Sequence, residues 1–285
     1  LSWTGSSDAP PTARIAALIS SLQPSERRVA EAIVADVSKA VDMTAQELAD
    51  AVGVGRASVV RTSQTLGYHG YPQLRVALAR EKAFEQPIAD TGEGSLGIMR
   101  AAMDRFVRAL PHTSAALTED VVDTFIATLD DAPRVIVAAS GLSAPLGYDA
   151  ALRLTSAGRP AEYIPDSLAQ QIAARQLEPH GVLLVISGSG ANRATLDVVG
   201  AARAAGATVL AVTGFSRSAL VSAATTTLVV PPATESFQDE LVQTSRAALA
   251  LVIEALVEAL VARRGERGRT ARAAVLSVLS DTLDS

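Results

Sequence analysis

The stretch VLLVISGSGAN, residues 182–192, decides how the second half of the chain reads. A run of apolar, mostly branched residues ends in alternating serine and glycine. So short an apolar run predicts a strand buried on both faces. The small residues after it predict a tight turn opening into a helix. Four more runs share this character: RVIVAAS (134–140), AEYIP (161–165), TVLAVTG (208–214) and TTLVVP (226–231). Helical stretches separate several of them. Strands alternating with helices imply right-handed crossovers and a parallel sheet covered on both sides. The expectation is a three-layer α/β domain with a five-stranded parallel sheet, of flavodoxin-like type. A long helix from about 236 to 263 is expected to cover it last.

Two of these strand ends carry chemistry. SGLS (140–143) and SGSGAN (187–192) each put small residues at the carboxyl end of a strand, where ligands of open α/β sheets bind. Glycine lets backbone amides approach a ligand closely, and the following helix N-terminus favours an anion. The candidate contacts are Ser140, Gly141, Ser143, Ser187, Gly188, Ser189, Gly190 and Asn192, and the preferred guest is a phosphate monoester. The plainer reading is a pair of strand-to-helix turns that need glycine and serine caps. Neither the dinucleotide fingerprint nor a phosphate-binding Gly-Lys-Ser/Thr loop is present.

The first 80 residues or so read as all-helical. TARIAALISSL (12–22) and PSERRVAEAIVADV (24–37) carry apolar residues at helical spacing. Thr44 followed by Glu47 is a capping box, and Gly53 ends the helix that it starts. RASVVRTSQTL (56–66) then begins another helix. Two short helices across a glycine turn form a helix-turn-helix pattern. Val54 is expected to plug the core between them, with Val59, Val60 and Leu66 inward. The outward face would carry Arg56, Ser58, Arg61 and Thr62, and Thr44 and Gln46 of the preceding helix are counted with them as DNA contacts. From 52 to 82 five basic residues, Arg56, Arg61, Arg75, Arg80 and Lys82, stand against one acid, Glu81. A local basic face on a chain of net charge -5 suits a DNA partner. A small helical bundle with solvated arginines is the plainer alternative.

Composition sets the remaining bounds. The 285 residues suffice for two domains, and 48% hydrophobic with 19% charged residues is a globular balance. With no cysteine and only His69, His112 and His180, no metal site is expected, and no cofactor is implied. LSWTGSSDAPP (1–11) lacks the basic and apolar regions of a secretory signal and reads as a tail. Glu254 and Glu258 interrupt the most apolar segment, 247–262, short of the about 20 apolar residues of a membrane span. A cytoplasmic location without membrane contact is expected. The expected layout is a tail over 1–11, a helix-turn-helix domain over 12–84, a linker over 85–95, the α/β domain over 96–265 and a basic tail over 266–285.

Together these stretches resemble the RpiR-type transcription regulators of bacteria, which join a helix-turn-helix domain to a sugar isomerase (SIS) domain. The likeness covers roughly 12–82 and 115–262. It rests on LQPSERRVAEAIV (22–34) and TAQELADAVGVGRASVVRTSQTLGYHGYPQLRVALA (44–79) in the first part. In the second it rests on GLSAPLGYDAALRL (141–154), SAGRPAEY (156–163), ISGSGANRAT (186–195) and ARAAGATVLAVTG (202–214). The resemblance implies that Arg56 to Leu66 is the recognition helix, that Ser143 belongs to the first phosphosugar loop, and that Ser187, Ser189 and Asn192 cradle the phosphate. Three positions depart from the family pattern: Gly55 stands for a capping Ser, Asn192 for a Thr and Ala139 for a Gly.

The implied function is a homodimeric or homotetrameric regulator that binds double-stranded operator DNA. A phosphorylated sugar or a similar small anion would alter its operator affinity. The alternative is an aldose–ketose sugar-phosphate isomerase, whose base would be Glu235 or, less suitably, Glu240. A third possibility is a SIS domain that only dimerises. The regulator, and not an enzyme, is the reading carried forward.

Overall fold

A computed structural model describes residues 3, 9–85, 94–216, 218–231 and 245–283. The chain divides into two compact units, one running from Leu1 to Asp104 and the other containing residues 105–233 and 245–285.

The first unit is helical: α1 (Pro11–Leu18), α2 (Pro24–Ala35), α3 (Val37–Asp42), α4 (Ala45–Val52), α5 (Arg56–Thr65) and α6 (Tyr71–Glu85). Its core gathers Ile15, Val29, Ile33, Leu48, Val59 and Leu74, each almost wholly buried. Every such side chain contributes about 1.5–3 kcal/mol relative to exposure. Helix α7 (Gly94–Ala115) starts inside the expected linker, and α6 runs on to Glu85. The division between the units, at Asp104 and Arg105, falls within α7 rather than in a loop.

The second unit is built on α8 (Glu119–Asp131), β1 (Val135–Ala139), α9 (Ala144–Ser156), β2 (Glu162–Tyr163), α10 (Ser167–Arg175), β3 (Val182–Ser187), α11 (Arg193–Ala204), β4 (Thr208–Thr213), α12 (Ala219–Ala223) and β5 (Thr226–Val229). Helices α13 (Ala247–Arg264) and α14 (Glu266–Leu283) follow. All strand pairs are parallel, in the order β2-β1-β3-β4-β5. Alternate residues of each strand feed two cores. Val137, Leu184 and Val212 face Phe125, Leu154 and Ile253 of α8, α9 and α13. Ile136, Val185 and Val209 face Ala174, Val198 and Leu220 of α10, α11 and α12. These are the three layers expected from sequence.

Residues 266–283, read from the sequence as a basic tail, form helix α14. Its Ala271 methyl packs on Gly158, where an added Cβ would lie 2.7 Å away, and Arg272 pairs with Glu258 of α13. The basic charges of this segment hid its docked face from a reading based on composition.

Candidate functional site

The helix pair of the first unit forms as its local chemistry dictates. Thr44 Oγ1 accepts from the Glu47 amide at 3.2 Å, and Glu47 Oε2 accepts from the Thr44 amide at 2.9 Å. This box satisfies two amides left open at the start of α4. Gly53 closes α4 in the left-handed conformation, at φ 66 and ψ 43. Gly55 starts α5 without a side-chain cap.

Helix α5 packs on α2 and α4. Arg56, Arg61 and Gln64 stand exposed, as do Gln46 and Asp50 of α4, joined by a 2.8 Å hydrogen bond. Thr44 is half-buried. Two expected outward residues point inward instead. Ser58 is 6% and Thr62 0% exposed. At helical spacing they share the buried stripe of Val59, Ser63 and Leu66, while Val60 is only half-buried. Thr62 Oγ1 donates to Ser58 O at 2.8 Å and Ser63 Oγ to Val59 O at 2.9 Å, so the hydroxyls are satisfied within the helix. Thr62 thus presents no surface to solvent in this fold. Ser58 Oγ accepts from Arg61 Nη2 at 3.4 Å.

The basic face is also narrower than the charge count suggests. Arg75 Nε donates to Val41 O at 2.8 Å, and burial lowers its pKa. Tyr71, 1% exposed, donates to Ala40 O and is a packing residue. Trp3, to which the sequence assigned no role, has its amide on Thr65 O at 2.8 Å. Arg14 stands 5.5 Å from the Trp3 ring and 4.6 Å from the Tyr68 ring, closing off the end of α5.

In the second unit, strand order reverses between β1 and β3: β2 lies outside β1, while β4 and β5 lie beyond β3. In open α/β sheets the loops that leave such a pair of strands flank the usual ligand crevice. Here they are 140–143 and 187–192, so topology brings together the two serine-bearing stretches. Gly141 (φ 58) and Gly190 (φ 60) supply the left-handed turns.

Hydrogen bonds knit the loops. The Gly188 amide donates to Ser143 Oγ at 3.3 Å, and the Gly190 amide to Ser187 Oγ at 3.2 Å. Ser143 and Ser187 are 5% and 4% exposed. The Ala191 amide donates to Ser189 Oγ at 3.4 Å. Asn192 caps α11, accepting from the Thr195 amide at 3.3 Å, so part of its amide group is committed to the helix start. Ser140 Oγ is buried without a hydrogen-bond partner among the described residues. The internal bonds of these loops, at 3.2–3.4 Å, lie at the long end of the hydrogen-bond range.

Two features escaped the sequence reading. Ala139 is accommodated because Gly147 of α9 faces it: an added Cβ there would lie 2.7 Å from the Ala139 methyl and 2.8 Å from the Tyr163 ring. Arg246, the residue before α13, lays its guanidinium on Gly188, with Cζ 2.7 Å from where a Cβ would stand. No local pattern marks that arginine. Glu235 and Glu240 lie outside the described residues.

Comparison with known proteins agrees with this architecture. Residues 12–85 match the family model described as helix-turn-helix domain, rpiR family, and residues 128–258 match the SIS domain. An uncharacterized HTH-type transcriptional regulator of Caldanaerobacter subterraneus subsp. tengcongensis is 29% identical over 218 residues, covering 74% of this chain and 76% of that protein. The NanR protein of Vibrio vulnificus, solved in complex with ManNAc-6P, superposes with a TM-score of 0.76 at 20% identity, over 95% of this chain and 98% of that one. The sugar isomerase domain of an RpiR transcription factor from Sphaerobacter thermophilus gives 0.54 at 20% identity, over 62% of this chain and 96% of that one. Residues 12–85 thus carry an rpiR-family helix-turn-helix domain and residues 128–258 a SIS domain, the pair of domains that marks the RpiR-type transcription regulators.

Proposed function

We propose that this regulator senses a sugar phosphate, or a related small anionic metabolite, in the crevice between loops 140–143 and 187–192, and that occupancy alters its affinity for operator DNA. The carrying observation is the pair of serine loops at the strand-order reversal, bonded to each other through Ser143 Oγ and the Gly188 amide. Ser140, Gly141, Ser143, Ser187, Gly188, Ser189, Gly190 and Asn192 form the effector cradle. The fold likeness to NanR, solved with ManNAc-6P, supports a ligand of this class.

DNA contact falls to Arg56 and Arg61, with Gln46 and Thr44 from α4 against the backbone. The protein works as a homodimer or homotetramer in the cytoplasm, since a two-fold operator is read by a two-fold protein. It acts as a regulator and not as an isomerase. The helix-turn-helix domain spans 12–84, and the SIS domain 96–265 followed by α14. For regulation, the effector must bind the two arrangements of the oligomer unequally; a coupling of about 1–3 kcal/mol changes DNA affinity about 5–150-fold.

The test is a thermal-shift screen of the full chain against phosphorylated sugars, followed by DNA-binding titrations at fixed salt. A ligand at about 100 times its Kd stabilises by about 2.7 kcal/mol. The expected result is a stabilising phosphosugar that also shifts operator affinity. No stabilisation by any phosphosugar would overturn the reading. Turnover of a sugar phosphate in a coupled assay would replace it with the isomerase.

A further inference from the structure

We propose that Arg246 supplies the positive charge against which the effector's phosphate binds, and that it thereby makes the crevice selective for a dianionic phosphate over singly charged anions. The proposal rests on the anion-binding reading above and names the residue that sets its charge selectivity.

The argument starts from Gly188. Its φ is not in the left-handed region, unlike Gly141 and Gly190, so its backbone does not require glycine. What occupies the place of a side chain there is Arg246. A Cβ at 188 would lie 2.7 Å from Arg246 Cζ and 2.9 Å from both terminal nitrogens. The missing side chain is the room in which a guanidinium rests on the loop. Both neighbours of Gly188 are the serines of the proposed cradle.

Arg246 is anchored by the helix that follows it. It precedes α13, which is held by Leu249, Val252, Ile253 and Leu256, all nearly buried. Its Nη1 donates to Ser245 O at 2.8 Å, which orients the guanidinium. Arg193, at the start of α11, does not take this role. Its side chain is 91% exposed and pairs with Asp197 at 3.2 Å.

Charge balance gives the reason for a cation here. A phosphate monoester carries about -1.5 to -2 charge near neutral pH. The start of α11 offers about half a positive charge. Loop amides add dipoles and no net charge. A guanidinium supplies the missing unit, and its planar fork suits a phosphate.

The experiment measures binding of inorganic phosphate and of sulfate to the full chain by calorimetry from about pH 5.5 to about pH 8. Phosphate passes from mono- to dianion over this range, while sulfate stays doubly charged. Wild type is expected to bind phosphate more tightly as pH rises and sulfate at a constant level. Arg246→Gln is expected to weaken both anions about tenfold and to flatten the phosphate pH dependence. Arg246→Lys keeps the charge and is expected to keep the slope. A purely structural role would lower stability without changing the slope. An Arg246→Gln protein with wild-type affinity and slope overturns the proposal. If that variant does not fold, a folded Arg246→Lys protein without the slope overturns it equally. Wild type that binds neither anion overturns the anion-site reading itself, a failure distinguishable from that of Arg246 alone.

Discussion

The amide of Gly188 donates to Oγ of Ser143 at 3.3 Å, joining the loop after β3 to the loop after β1 across the strand-order reversal. Replacing Ser143 by alanine removes the acceptor and leaves a buried amide without it. The expected loss is about 1–3 kcal/mol in the SIS domain, with weaker binding of any stabilising phosphosugar. Urea denaturation and a ligand titration of the same variant check both effects. Unchanged values in both would mean that the bond does not organise the crevice.

The two faces of α5 make opposite predictions. Arg61→Ala is expected to weaken operator binding and to lower the salt slope by about one unit, with stability unchanged. Thr62→Val keeps the shape of a side chain that is 0% exposed and is expected to leave DNA affinity unaltered. Anisotropy titrations at several salt concentrations separate the two. A Thr62→Val protein with lost DNA affinity and intact stability would return Thr62 to the interface.

Thr44 is the structural cap of α4. Thr44→Ala is expected to destabilise the helical unit by about 1 kcal/mol, because the Glu47 amide loses its partner. Thermal unfolding followed by circular dichroism measures this. Thr44→Ser retains the cap and is expected to restore stability.

Gly147 and Ala139 form a size pair, since a methyl at 147 would lie 2.7 Å from the Ala139 Cβ. Gly147→Ala is expected to cost about 1–3 kcal/mol by overpacking. Ala139→Gly in the same chain is expected to recover part of that loss, although the Tyr163 ring, 2.8 Å from the added methyl, still has to shift. A double variant no more stable than Gly147→Ala would assign the whole strain to Tyr163.

Arg134 and Glu162 make a two-bond pair at 2.9 Å, tying the start of β1 to β2. The hydrogen bond from Arg134 holds the Glu162 carboxyl below its ordinary value of 4.5. A depressed folded-state pKa gives stabilisation that is fully present above 4.5 and is lost as pH falls through the lower folded value. Both side chains are about half exposed, so the loss is at most about 1 kcal/mol. Denaturation midpoints of wild type and Glu162→Gln are expected to differ at neutral pH and to converge in acid.

Much of the fold was legible because local rules agree with it. The capping box at Thr44 and Glu47, the glycine stop at Gly53 and the apolar runs of β1, β3 and β4 each follow from neighbouring residues. The two serine loops were legible for the same reason, since a strand end, a small-residue turn and a helix start are contiguous in the chain. The inward turn of Ser58 and Thr62 was less so. A hydroxyl suits either a groove or a buried stripe, and only the packing of α5 on α2 and α4 selects the second.

What the sequence determined by itself is therefore the order and type of the elements and the residues at each turn, because hydrogen bonding and periodicity act over a few positions. The tertiary structure alone decided that the charges of 266–283 belong to a docked helix and that Arg246 rests on Gly188. Those relationships depend on how distant elements pack, and no short-range pattern encodes the distance between a guanidinium and a glycine from another part of the chain.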